Sequence, residues 1–158
     1  MRIALGADHR GFKYKEKIAS LLREMGHIVK DFGAFSDTKS VDYPDHGLPA
    51  ARAVGNGECD RAILICATGV GMCIAANKIN GVRAAICNDL FTTVMSRKHN
   101  NANVLCVGAD VASQDPLEER IKVWLTTPFE AEERHIRRLG KMLAVENENN
   151  AQHIVNNR

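Results

Sequence analysis

The chain alternates short apolar runs with longer segments in which apolar residues recur at helical spacing. Five runs have the length of β-strands, at 2–6, 28–32, 61–66, 82–87 and 103–107. Most of them are continuously apolar, which is typical of strands buried on both faces of a parallel sheet. Helices are predicted at about 12–25, 45–56, 70–79, 89–98, 116–127 and 130–145. The pattern predicts an α/β fold, a three-layer Rossmann-like sandwich with a five-stranded parallel sheet and right-handed crossovers.

The pattern contains no internal repeat and no linker, so we expect a single domain over residues 1–145. The last segment, 146–158, is polar and rich in asparagine. We expect it to be a frayed tail, or an arm that lies against a partner, rather than part of the core.

Composition excludes several classes of protein. Lys and Arg number 21 against 19 Asp and Glu, a net charge of +2, and no basic run is present, so we expect no nucleic-acid partner. No apolar run approaches the ~20 residues of a membrane span, and the chain passes from Met1 into a strand without a signal-peptide pattern. We therefore expect a cytoplasmic protein without a membrane partner.

The five cysteines form no CxxC pair and are odd in number, which argues against a disulfide framework or a metal knuckle. We interpret four of them as buried structural thiols. Cys66 differs because it stands at the end of a predicted strand, directly before a predicted helix. That position favours the thiolate form and makes Cys66 a candidate base or nucleophile, with core packing as the alternative.

Reactive side chains cluster next to three of the predicted strands. Asp8 and His9 follow the first strand, Cys66 ends the third, and His99 with Asn100 precedes the fifth. Because the loops of a parallel α/β sheet converge on its ligand, we expect these groups to share one cleft.

The segment 67–71, Ala-Thr-Gly-Val-Gly, joins a strand to a helix, so its backbone N–H groups can bind an anion. It is neither a Walker loop nor a GxGxxG fingerprint, which disfavours triphosphate hydrolysis and dinucleotide binding. The alternative is that the glycines only turn the chain.

Arg134 and Arg138 are four residues apart and share one face of the last predicted helix. Two such arginines can hold a phosphate group. The alternative is a solvated basic face that pairs with Glu130, Glu132 and Glu133.

Six motifs together resemble the type B ribose-5-phosphate isomerase family, which also includes galactose-6-phosphate isomerase subunits. They are Gly6-Ala7-Asp8-His9-Arg10-Gly11-Phe12, Asp42-Tyr43-Pro44-Asp45, Cys66-Ala67-Thr68-Gly69-Val70-Gly71-Met72, Ala76-Asn77-Lys78, Arg83-Ala84-Ala85 and His99-Asn100-Asn101-Ala102-Asn103-Val104-Leu105. The resemblance runs from residue 2 to about 143, with the motifs in the same order and spacing.

The resemblance implies an aldose–ketose isomerisation of a sugar phosphate through a cis-enediolate, without a cofactor or a metal. Cys66 would be the base that removes the proton from the carbon next to the carbonyl. His99 would open the furanose ring, and Asp8 and Thr68 would help to move or hold hydroxyl protons. The substrate would be held by His9, Tyr43, Ala67, Gly69, Val70, Gly71, Asn100, Arg134 and Arg138. The family's sites lie between subunits, so the resemblance implies a homodimer or a tetramer with shared active sites.

The chain departs from the family pattern at Ala67, where the family commonly has glycine, and in the residues that lead into Arg134. It also carries Asp110 where many ribose-5-phosphate members have arginine. The first hypothesis is therefore an isomerase of ribose 5-phosphate, and the second keeps the chemistry on a tetrose 4-phosphate or a hexose 6-phosphate.

Two non-enzymatic hypotheses remain open from the sequence. A silent sugar-phosphate-binding subunit would lack an acid or base that this chain retains. A flavodoxin-like receiver or nucleotide module would share the fold but would give no reason for His99 or the two arginines.

Overall fold

A five-stranded parallel sheet forms the centre of the molecule in the computed structural model, which describes the backbone of residues 1–156 and the side chains of residues 1–148. The strands are β1 (Arg2–Ala7), β2 (Ile28–Asp31), β3 (Arg61–Cys66), β4 (Ala84–Ile86) and β5 (Val104–Gly108). The helices are α1 (Phe12–Glu24), α2 (Tyr43–Gly55), α3 (Val70–Ala76), α4 (Leu90–Lys98), α5 (Leu117–Thr126) and α6 (Glu133–Asn156). The strand order is β2-β1-β3-β5-β4. The predicted α/β fold with a five-stranded parallel sheet is confirmed.

Alternate residues of the central strands supply the two halves of the core. Ile63 and Ile65 of β3 face one side, where they pack in a cluster with residues of α1 and α5. Leu64 and Cys66 face the other side, in a cluster with residues of α2 and α3. Within the described part of the chain, no helix is long and apolar enough to cross a bilayer.

The inner face of α1 contains a buried charge that the apolar pattern does not predict. Lys15 is 0% exposed, and its ammonium contacts the carboxylates of Asp31 and Glu16. Asp31 also accepts the N–H of Gly33 at 2.8 Å. The buried lysine therefore ties α1 to the loop that leaves β2, because an ammonium in the core needs ion partners.

Strand β4 is shorter than the predicted 82–87, because side chains replace ladder bonds at its start. The N–H of Arg83 donates to the Asn103 side chain at 2.7 Å. The Asn77 amide accepts from Ala84 N at 2.9 Å and donates to Ala84 O at 3.0 Å. Asn77 thus completes the hydrogen bonds of an edge strand.

Helix α6 continues beyond the predicted end at residue 145 and reaches Asn156. Glu146 accepts the N–H of Gly81 at 3.0 Å, which fixes the helix to the loop before β4 at the point where the sequence predicts a tail. Most of the segment 146–158 is therefore helical, and residues 157–158 lie outside the described residues. That the segment reaches a partner stays a prediction.

Candidate active site

Cys66 lies at the carboxyl end of β3, where the chain turns into α3. Its side chain is nearly buried, and its Sγ accepts the backbone N–H of Gly69 at 3.2 Å. The N–H of Val70, the first residue of α3, donates to the Thr68 side chain, whereas those of Gly71 and Met72 have no acceptor one turn earlier within the helix and can bind an anion. The thiol and a group of anion-binding donors therefore occupy the same turn.

The two glycines of this turn are required by close contacts. Gly69 has φ +80°, and a Cβ there would lie 3.0 Å from the carbonyl carbon of Val107. A Cβ on Gly71 would lie 2.7 Å from the ring of Tyr43, which covers the turn from the start of α2. Ala67, in contrast, is outside the positive-φ region, so its side chain causes no backbone strain.

Asp8 and His9 face the same edge of the sheet as Cys66. The N–H of Asp8 donates to the carbonyl of Ile65 at 3.1 Å, and Asp8 Oδ1 accepts from Arg10 N and Gly11 N at 3.0 and 2.9 Å. His9 Nδ1 accepts the N–H of Val41 at 3.3 Å. A neutral imidazole with Nδ1 as acceptor carries its proton on Nε2, which is then a donor for a ligand.

Thr68 is exposed on the turn, and its hydroxyl oxygen accepts the N–H of Val70 at 3.3 Å. This bond uses the oxygen as an acceptor and leaves the hydroxyl hydrogen free to rotate toward a ligand. Thr68 can therefore donate a hydrogen bond to a ligand that binds at this turn.

Asp110 forms an ion pair with Arg10 at the same edge. Its Oδ2 lies 2.6 Å from Arg10 Nε and 2.5 Å from Arg10 Nη2. Both residues line a cavity of about 290 Å³ together with His9, Lys13 and Asp37. Asp110, one of the positions where the chain departs from the family pattern, therefore pairs its carboxylate with Arg10. Without it, Arg10 would be available to an anionic ligand.

His99 and Asn100 lie at the opposite edge of the sheet, which corrects the expectation that one chain collects all the reactive groups in one cleft. His99 directly follows α4 as its C-cap and precedes β5. The neighbouring Asn101 carbonyl accepts from Arg83 at 3.1 and 3.0 Å, just before β4 begins. In a parallel sheet, residues that precede a strand lie at its amino end, whereas Cys66 ends one.

The loop of His99 rests on a buried arginine. Arg97 donates to the Ala102 carbonyl at 2.6 Å and to the Asn101 side chain at 3.0 Å. Its guanidinium lies over the ring of Trp124 at 5.8 Å, and Arg61 covers the same ring at 5.1 Å. Burial lowers the pKa of Arg97 to about 10, which leaves it charged at neutral pH.

Arg134 and Arg138 are exposed on α6, and Arg134 Nε is 3.1 Å from Nε2 of His135, which lies against His99. Arg134 Nε is 2.8 Å from Glu132 Oε2. In a single chain, Arg134 therefore fits the alternative interpretation, a basic helix face that pairs with glutamates. Between the two arginines is His135, which is 1% exposed and whose ring centroid is 4.4 Å from that of His99. The apolar pattern of the helix gives no role to His135. The signal for it in the sequence is the Arg-His-x-x-Arg segment 134–138, which the chain keeps from the family pattern.

The candidate residues thus form two groups in a single chain. The carboxyl-edge group contains Asp8, His9, Tyr43, Cys66, Ala67, Thr68, Gly69, Val70 and Gly71. The amino-edge group contains His99, Asn100, Arg134 and Arg138. The first group provides a thiol, hydroxyl partners and anion-binding N–H groups, and the second provides an imidazole and two arginines.

The sequence profile of the Ribose/Galactose Isomerase family matches residues 3–142. The chain belongs to this family. It is 40% identical over 149 residues to ribose-5-phosphate isomerase B of Escherichia coli, covering 94% of this chain and 99% of that protein. It is 40% identical over 130 residues to D-erythrulose-4-phosphate isomerase of Pectobacterium atrosepticum, covering 82% and 86%.

A solved structure of ribose-5-phosphate isomerase B from Clostridium thermocellum superposes with a TM-score of 0.89 at 45% identity, covering 94% of this chain and 99% of that one. The family resemblance inferred from the six motifs is confirmed. The chain is an isomerase of a sugar-phosphate isomerase family, which argues against the silent-subunit and receiver hypotheses.

Proposed function

We propose that this isomerase interconverts D-ribose 5-phosphate and D-ribulose 5-phosphate through a cis-enediolate, with Cys66 as the base at carbon. The observation that carries the proposal is the contact of Cys66 Sγ with the N–H of Gly69 at 3.2 Å. This contact holds the sulfur at the turn, where the adjoining N–H groups can stabilise an oxyanion that develops on a substrate.

In the forward direction the Cys66 thiolate removes the proton from C2 of the open-chain aldose and returns it to C1. The hydroxyl proton of O2 moves to O1, so the substrate and product differ only in where two protons reside. Asp8 and Thr68 lie on the same edge as Cys66 and would hold these hydroxyls, and the N–H groups of the turn would stabilise the enediolate oxygens.

A complete site in this proposal needs two copies of the chain. One copy supplies Cys66 and its turn, and the other supplies His99 for ring opening, Asn100 for the sugar, and Arg134 and Arg138 for the phosphate. Three apolar side chains of α6 near these arginines, Ile136, Met142 and Leu143, are 46–55% exposed, as expected of a helix face that meets a second copy.

The proposed role of Cys66 is tested with Cys66→Ser and a matched control, Cys73→Ser. The expectation that Cys73 is a buried thiol is wrong, because its side chain on α3 is partly exposed. We expect Cys66→Ser to lower kcat for ribose 5-phosphate by about 10²–10⁴-fold, the usual contribution of a positioned base. Cys73→Ser should retain kcat within about threefold. Full turnover by Cys66→Ala would refute the proposed base.

A tetrose 4-phosphate is the second candidate substrate, and the Arg10–Asp110 ion pair is the observation that favours it. A carboxylate on this arginine removes positive charge from the cavity beside His9 and can select different hydroxyls. The relative from Pectobacterium atrosepticum is named for a four-carbon substrate. Rates on a panel of tetrose 4-, pentose 5- and hexose 6-phosphates decide between the two candidate substrates. A clear preference for ribose 5-phosphate eliminates the tetrose phosphate.

A further inference from the structure

His135 is the one side chain of α6 that is fully buried within residues 133–148. Its ring lies against the ring of His99, with the two planes inclined by 32°. Phe129 contacts the His135 ring edge-on at 6.5 Å between centroids. A buried imidazole at this point therefore holds the main body of the protein and the helix of the two arginines together.

Both ring nitrogens of His135 have partners. Nδ1 donates to the carbonyl oxygen of His99 at 3.1 Å, and Nε2 accepts from Arg134 Nε at 3.1 Å. A neutral imidazole protonated at Nδ1 satisfies both bonds. The carboxylate of Glu132 shares the Arg134 N–H, and the Lys98–Glu130 ion pair lies on the adjoining residues.

We propose that His135 is a positioning residue for ring opening, which fixes the His99 imidazole toward the sugar and couples it to the phosphate-binding Arg134. The inference rests on the proposed function, in which His99 opens the furanose. Its physical basis is that one rigid, buried ring contacts the backbone and the ring of His99 at once. General acid–base catalysis depends on such alignment, because a displacement of about 1 Å can cost about 10²-fold.

Ribose 5-phosphate closes to a furanose through its C4 hydroxyl, whereas ribulose 5-phosphate cannot close a five-membered ring because its C5 oxygen carries the phosphate. Proton exchange at C1 of the ketose thus needs the base but not ring opening. Two rates separate the steps: turnover of ribose 5-phosphate, and deuterium incorporation at C1 of ribulose 5-phosphate followed by NMR.

The test variants are His135→Phe, which keeps a ring but removes both hydrogen bonds, and His135→Asn, which keeps a donor for the His99 carbonyl. We expect His135→Phe to lower kcat for ribose 5-phosphate by about 10–100-fold while deuterium exchange into the ketose stays within about threefold. His135→Asn should recover part of the loss. The thermal midpoint and the oligomeric mass of each variant are measured alongside. If His135→Phe does not fold, the two rates of His135→Asn test the positioning role instead.

Equal losses in the two assays would overturn the inference, since a merely structural role lowers both rates. A higher KM with unchanged kcat would also overturn it, because His135 would then act only through Arg134. If the unmodified protein exchanges the ketose proton but fails to convert ribose 5-phosphate, the positioning role is wrong. If it does neither, the proposed pentose activity itself is wrong.

Discussion

Mixed dimers of two inactive variants provide a direct test of whether one site draws on two chains. Cys66 pairs in register with Gly108 at one edge of the sheet, and Ala62 pairs with Val104, next to the His99 loop, at the other. Four residue steps of β-strand separate these edges, about 13 Å. A single chain therefore cannot place Cys66 and His99 on the same carbonyl.

A heterodimer of Cys66→Ser with His99→Asn has one site that carries both substitutions and one that carries neither. Each homodimer should retain at most about 1% of wild-type activity on ribose 5-phosphate, given the usual contribution of a catalytic acid or base. The heterodimer, co-expressed with two affinity tags and purified on both, should show about half the wild-type activity per dimer, as two-fold symmetry requires.

The matched control pairs Cys66→Ser with a chain that carries both Cys66→Ser and His99→Asn. This dimer has no intact site and should be as inactive as the homodimers. A heterodimer of the two single variants with no more activity than this control would refute the two-chain site, since every single-chain site would then contain one substitution.

Three further predictions concern the turn, the cavity and the thiols. Gly57→Ala, at φ +77° with no atom within 4 Å of its Cβ, should lower the thermal midpoint by about 2–4 °C, the cost of a Cβ at positive φ, and leave kcat unchanged. Gly69→Ala should lower the midpoint further, because its Cβ also meets the Val107 backbone, and should lower kcat. Asp110→Asn should lower the KM for sugar phosphates about two- to fivefold at unchanged kcat, measured at low salt, because a carboxylate repels the phosphate; an effect that persists at high salt would contradict this cause. A hydrogen bond with the Cys106 thiol lowers the pKa of Cys73 to about 7, so iodoacetamide labelling of Cys73, followed by mass spectrometry, should rise through pH 7; labelling that begins only above pH 9 would contradict it.

Much of the fold is predictable because the local pattern and the tertiary structure agree. The run 61–66 is predicted as a strand and is observed as one, since its alternate residues pack against helices on both faces of the sheet. The end of α6 is not predictable in the same way. Its asparagines have low helix propensity, and the bond from Gly81 to Glu146 joins positions 65 residues apart.

The same distinction between local and distant contacts separates the predictable from the unpredictable parts of the candidate site. The turn after Cys66 is local, so its strand, turn and helix could be inferred from adjacent residues. The ion pair between Arg10 and Asp110 and the stacking of His135 on His99 join distant parts of the chain, and no local pattern reports such pairs. His99 lies at the amino edge because it precedes β5, whereas Cys66 lies at the carboxyl edge because it ends β3. The expectation of a single cleft did not distinguish residues that precede a strand from those that follow one.

The arginine-covered Trp124 is the only tryptophan of the chain, and it is fully buried. One of the two guanidinium groups on its ring belongs to Arg97, which also holds the loop that follows His99. The emission of Trp124, which can be excited apart from the two tyrosines at wavelengths near the red end of tryptophan absorption, therefore reports on one half of the proposed site. Its emission should change when a sugar phosphate draws that loop toward a bound substrate, so binding can be followed optically without a label and separately from turnover.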